Sequence, residues 1–270
     1  MAIDLGFDDH WDPPPPTPAP APEKKEEKKP DWQALFVKAL KKTDYDGVKE
    51  ALSNGADPEV KIRVPRGYDY SDLTYQTAMF FALNHIKDTR MMDILVAGGA
   101  DVNAVDGNKK SLLRAAVGNN YAVLALHVAK YDGVDFTSAG AQKAYELAAE
   151  KRHKEPQMEA VYRYLHMKLE ELNGPWRKTA DDSIKYVSYD NDGMTEISDT
   201  FNFRAAKQSR VIRDFDTKSM LTTETYFADI PVNAQGFVRE AFEELKKQGG
   251  AVKIDPHIPG HMRRYVSRKR

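Results

Sequence analysis

The chain has 270 residues, with 40 Lys and Arg balanced against 41 Asp and Glu, and no cysteine. The near-neutral balance argues against a general nucleic-acid binder. Lack of cysteine removes disulfides, thiolate nucleophiles and most structural zinc sites. No run of about 18 apolar residues occurs, so no membrane-spanning helix is expected.

The N-terminus, MAIDLGFDDHWD, holds acids and no Lys or Arg, unlike a secretory leader. The expectation is a cytoplasmic, monomeric protein without cofactor or metal. A protein exported folded, or by a C-terminal signal, would read the same. Prolines crowd between Pro13 and Pro30, and PPPPTPAPAPEKKEEKKP reads as a disordered, polyproline-like arm over residues 1–30. The alternatives are a ligand for a proline-binding groove and a tether for a docking motif, Ile3-Asp4-Leu5-Gly6-Phe7.

From Asp31 the chain repeats itself. Ser53-Asn54-Gly55-Ala56-Asp57-Pro58, Ala97-Gly98-Gly99-Ala100-Asp101-Val102-Asn103 and Tyr131-Asp132-Gly133-Val134-Asp135-Phe136 each follow an amphipathic stretch. A glycine just past a helix closes its C-terminus at positive φ. Short helical segments recur at Ala34–Leu40, Thr77–Leu83, Ser111–Val117 and Lys143–Ala149; the sixth residue of each is Ala, where neighbouring helices must approach. The last three segments start 34 and 32 residues apart.

These stretches resemble ankyrin repeats, whose pattern is T-P-L-H-x-A-A for the inner helix and L-L-x-x-G-A-D-V-N for the outer one. Leu95–Asn103, LVAGGADVN, carries the clearest match, and Thr77 keeps the family's Thr, although its Pro and His are missing from every inner helix. The resemblance covers about Asp31 to Leu172. It implies a mainly α fold: an ankyrin-type helical solenoid of about four repeats over 31–174. A last helix, opened by Glu155 and Pro156 and stopped at Asn173-Gly174-Pro175, would close the stack with a polar outer face.

After Pro175 the pattern changes to period two. Thr195, Ile197, Phe201 and Phe203 alternate with polar neighbours, and Ser209–Phe215 and Met220–Phe227 are β-rich runs around a turn at 216–219. Asn233 opens a helix carrying Phe237, Val238, Ala241, Phe242 and Leu245, ended by Gly249-Gly250. The expectation for 175–250 is a small α+β unit, a three-stranded antiparallel meander plus one helix. Residues 251–270 form a basic tail.

Chemistry is sparse. No G-x-S-x-G elbow, phosphate-cradling glycine loop or oriented nucleophile is visible, so no catalytic residue is assigned. His257 and His261 are four apart, but Pro259 and Gly260 intervene. Asp190-Asn191-Asp192-Gly193 is similar to the opening of a calcium loop, yet Thr195 stands at its sixth position in place of Gly and no Glu stands at its twelfth, leaving a hairpin turn.

The expected function is non-enzymatic: a scaffold binding a protein or peptide through the concave and loop face of the stack. The Glu59–Gln76 insertion, read as a loop, places Arg63, Arg66, Tyr68, Tyr70 and Tyr75 as interface residues or as anchors of the loop. Phe80, Asn108, Lys109, Lys110 and Arg114 are expected on or near the same surface, with Phe80 and its neighbour Phe81 equally open to a place in the core. The alternative is a basic C-terminus, Arg263, Arg264, Arg268, Lys269 and Arg270 around Tyr265, that binds nucleic acid or an anionic surface or directs export. An enzyme in the C-terminal unit is the remaining reading.

Overall fold

The computed structural model describes residues 30–66 and 69–250. The N-terminal arm with Ile3–Phe7, the basic tail with its two histidines, and Tyr68 lie outside the described residues.

The compact unit that begins at Trp32 starts with α1 (Trp32–Lys41) and α2 (Tyr45–Ser53). A hairpin of β1 (Ile62–Arg66) and β2 (Asp69–Gln76) follows, then α3 (Ala78–Phe81) running into a π-helical turn at Ala82–Ile86, and α4 (Thr89–Ala97). Two more helix pairs complete the series: α5 (Leu112–Gly118) with α6 (Ala122–Ala129), and α7 (Ala139–Lys151) with α8 (Met158–Leu172). Each pair packs on itself, and α2 meets α4, α5 meets α7 and α6 meets α8, so the pairs stack in chain order. Ala39, Ala82, Ala116 and Ala148, the small residues picked out by the repeat, are all buried in this core.

A ladder joins the repeats at their loops. The backbone N–H groups of Asp57, Asp101 and Asp135 donate to Gln33 Oε1 (2.8 Å), Glu59 Oε1 (2.8 Å) and Asn103 Oδ1 (2.9 Å). Each aspartate in turn accepts from the amide two residues on, Glu59, Asn103 or Thr137, at 2.8 Å. That turn is what Asp favours at a chain reversal. The motif read three times in the sequence is therefore one hydrogen-bonding unit used three times.

The chain then makes β3 (Trp176–Ala180), β4 (Ser183–Tyr189), β5 (Thr195–Asn202), β6 (Lys207–Asp214) and β7 (Ser219–Tyr226), an antiparallel meander in that spatial order. Helix α9 (Gln235–Lys247) closes it. On one face Val238, Ala241, Phe242 and Leu245 of α9 join Ile184, Phe201, Phe203 and Phe227 in an aromatic core. The other face meets α8: Tyr189 lies edge-on to His166 at 6.1 Å, and the Arg163 guanidinium lies 3.5 Å from the centre of the Phe215 ring. Gly193, at φ +72°, allows this approach, because a Cβ there would stand 2.7 Å from the Arg163 carbonyl oxygen.

Several expectations need correction. The fold is not a mainly α solenoid with a small appendage: the described residues hold nine α-helices, a hairpin within the helical stretch and a five-stranded sheet in the C-terminal half. The meander has five strands, not three. β4 escapes a period-two reading because its residues are buried or half-buried on both faces, and β3 because it is only five residues long and three of them are exposed. The Glu59–Gln76 insertion is a hairpin whose Ile62 and Val64 are buried. Helix α7 starts at Ala139 under a Ser138 cap, about a turn before the expected segment. Helix α8 starts at Met158, later than Glu155 and Pro156 suggest, and its outer face carries the sheet in place of solvent.

Candidate binding groove

Across the inner helices of consecutive pairs runs a groove of about 260 Å³ lined by Phe80, Asn84, Asp106, Lys110, Arg114, Ala115, Gly118, Asn119 and Leu147. Three expected residues, Phe80, Lys110 and Arg114, meet here. Phe80 is only 2% exposed, so it is a core side chain forming the floor and not a free contact. Arg114 is half-buried one turn into α5, while Asn108, Lys109 and Lys110 are exposed on the finger that precedes it.

The finger is built by Asp106. Its Oδ1 accepts from the amides of Asn108 (2.9 Å) and Lys110 (2.8 Å), and its own amide donates to the Lys110 carbonyl at 2.9 Å. Val105 bridges Ser111 across the base. Lys109 takes φ +58° at the tip, a conformation that costs an L-residue roughly 1–2 kcal/mol. The three side chains are thus held out from a tied backbone. Among the described residues no carboxylate pairs with Lys109, Lys110 or Arg114.

Ser111 then caps α5, accepting from the Arg114 amide at 3.2 Å, and so fixes where the guanidinium emerges. The corresponding Thr77 caps nothing: its Oγ1 is buried without a hydrogen-bond partner among the described residues.

On the far wall, Asn119 Nδ2 donates to Asn84 Oδ1 (3.3 Å), and Asn84 Nδ2 reaches Gln76 Oε1 at 3.5 Å. Lys151 closes the end of α5 by donating to the Gly118 carbonyl at 2.7 Å and to Asn120 Oδ1. Asn84, Asn119 and Leu147 were missed from sequence. The signal was present for the asparagines, which lie 35 residues apart, close to one repeat length.

The hairpin beside the groove places Arg63 directly across from Tyr75, and both are exposed, Tyr75 by 59%. The side chains of Arg66 and Tyr70 lie outside the described residues, so only Arg63 and Tyr75 of the five insertion residues are placed.

Protein-family models, curated proteins and solved structures were all compared with this chain, and none matches.

Two of the larger clefts offer less. One of about 750 Å³ lies between α8 and the β4–β5 and β6–β7 turns, but its arginines are engaged: Arg163 with Glu159 at 2.7 Å and Arg213 with Glu196 at 3.1 Å. The other, about 700 Å³, lies between α2 and α4 and includes Asp93. There the Asp93 carboxylate accepts from His127 Nε2 (2.6 Å) and the Tyr131 hydroxyl (2.9 Å). Burial, then the bond to Asp93, pushes the Tyr131 phenol well above its ordinary range, the reverse of an activated nucleophile. Among the described residues no group of three His, Asp or Glu converges as a metal site would require, and no helix is long and apolar enough to cross a membrane.

Proposed function

We propose that this chain is a non-enzymatic binding protein that takes a protein or peptide segment along the groove between Phe80 and Leu147. The observation that carries the reading is the convergence of Lys110 and Arg114, without an ion-pair partner among the described residues, with Phe80 and Leu147 of other helix pairs. A planar guanidinium held on a capped helix beside apolar surface is the kind of anchor that concentrates binding energy. The ankyrin-like motifs support the same reading, since stacked repeats offer extended concave surfaces to partners. Arg63 and Tyr75 extend the contact along the hairpin.

The double substitution Lys110→Glu with Arg114→Glu tests it. Both side chains reach solvent and neither makes an ion pair among the described residues, so the melting temperature should stay within about 3 °C of wild type. Affinity purification from a source-cell lysate should lose the partner, with binding weakened roughly 30-fold or more, as for a hot-spot change of about 2 kcal/mol. Capture that persists undiminished by the variant rejects the groove.

A further inference from the structure

The two edges of the five-stranded sheet differ in a way that bears on association. An open strand edge carries a row of unpaired backbone groups, and proteins usually blunt it with shortness, Lys, Pro, a bulge or a covering segment. Strand β3 uses several of these devices. It has five residues, its register slips between Lys178 and Ala180, it carries Arg177 and Lys178, and Lys178 Nζ reaches the Gly249 carbonyl beyond α9 at 3.5 Å.

Among the described residues strand β7 uses none. It has eight residues, SMLTTETY, paired to β6 without a register shift from Ser219 to Tyr226. It contains no Lys, Arg or Pro, and its one acid, Glu224, is neutralised by Lys207 on the adjacent strand. Nine large apolar side chains are exposed among the described residues, and three belong to this strand: Met220 (66%), Leu221 (58%) and Tyr226 (49%). A strand of this composition is a template for another strand.

We infer that β7 is a self-association edge, on which a second copy of this chain pairs antiparallel, with Thr223 facing Thr223 of the second copy in a continuous ten-stranded sheet. A two-fold axis perpendicular to the sheet leaves each side chain on its own face, so only residues of like parity stand opposite one another. With Thr223 on the axis, Met220 meets Tyr226, Leu221 meets Thr225 and Thr222 meets Glu224. No like charges face, apolar pairs form at both ends, and Glu224 keeps Lys207. Moving the axis to Thr222 sets Met220 against Glu224 and loses both apolar pairs. This dimer replaces the monomer expected from the sequence, and it leaves the groove on the helical stack uninvolved.

Sedimentation equilibrium of the full chain tests the pairing. Wild type should show a concentration-dependent rise toward twice the monomer mass. Leu221→Lys with Thr223→Lys lines the seam with like charges and should weaken dimerisation roughly tenfold or more, as should Leu221→Glu with Thr223→Glu. Mixing the two variants in equal amounts should restore the dimer, because opposite charges then face across the axis. Far-UV circular dichroism should match wild type for both, since both positions are exposed. A wild-type chain that stays monomeric up to high micromolar concentration overturns the inference, which then leaves the edge to a foreign strand or to none. A dimer that survives the charged variants, or a mixture that stays monomeric, overturns it equally.

Discussion

The helical stack and the sheet solve the same burial problem with opposite materials. In the stack the close approaches are made by alanine, with Ala78, Ala82, Ala116, Ala125, Ala144 and Ala148 buried between neighbouring helices. The sheet instead gathers Phe201, Phe203, Phe227, Phe237, Trp176 and Tyr186 around one centre, with ring centroids 4.7 to 6.4 Å apart. A row of small contacts spreads stability along the chain, each pair relying on its neighbours. An aromatic centre concentrates it, so that one deletion is felt by every strand. The groove lies on the distributed half, where a surface can vary without disturbing a single centre.

The largest test of this contrast is Phe201→Ala. The side chain is fully buried and touches four aromatic neighbours, so the loss should be about 3–5 kcal/mol. Denaturant melts should show near-UV ellipticity lost ahead of the helical far-UV signal. Simultaneous loss of both signals would show that stack and sheet fail as one body.

Gly193→Ala attacks the seam between them. A positive φ and a contact with the Arg163 carbonyl at 2.7 Å act together, for an expected loss of about 2–4 kcal/mol. Hydrogen exchange should quicken in β4, β5 and α8 and remain slow in α1 to α4. A uniform change would contradict a local seam.

Acid should loosen the same seam. Burial, foremost, holds the His166 imidazole below its ordinary value of 6.5, with Arg163 and Arg152 adding to the effect and Glu170 and Glu196 opposing it. Tyr145, Tyr162 and Tyr189 pack around the ring. The folded-state pKa is depressed for a base, so the unfolded chain binds the proton first. Stability is therefore full above about pH 6.5 and falls as pH drops through the interval down to the folded value. His85, also lowered by burial and by Lys87, contributes with the same sign. Thermal melts of His166→Gln should show a shallower decline below about pH 6.5 than wild type; an identical slope would remove His166 from the account.

The smallest effect separates two positions that correspond in the repeat, of which only Ser111 caps its helix. Ser111→Ala removes a side-chain bond to the Arg114 amide and should cost about 1 kcal/mol. Thr77→Val removes a buried hydroxyl that bonds to nothing among the described residues, so it should change stability by less than about 0.5 kcal/mol. Chemical denaturation of the pair measures the difference directly.

The repeats were legible because their signals are local. Gly55, Gly99 and Gly133 all sit at positive φ just past a helix, and the following Asp makes the same turn each time. Strands β5, β6 and β7 were legible through β-rich composition bounded by turn residues, a signal that does not depend on how each face is covered. β4 was hidden by cover on both faces, and β3 by its shortness and exposure at the sheet edge. The hairpin was hidden because Arg63, Pro65 and Tyr75 read as loop composition, while only Ile62 and Val64 report burial. In the groove, Lys110 and Arg114 were found from repeat register, but Leu147 comes from a helix whose start was misplaced by a turn. Phe80 and Phe81 left surface and core both open in sequence, and both are buried, since register sets position on a helix and not how much the next helix covers.

The loop ladder also has a direction. Gln33, Glu59 and Asn103 each precede the aspartate whose amide they receive. A chain emerging from the ribosome therefore exposes each acceptor before the donor that will meet it, and every new unit docks on a template already waiting. Synthesis order thus permits the ladder to close in the same sequence, each bond becoming available once its aspartate has emerged.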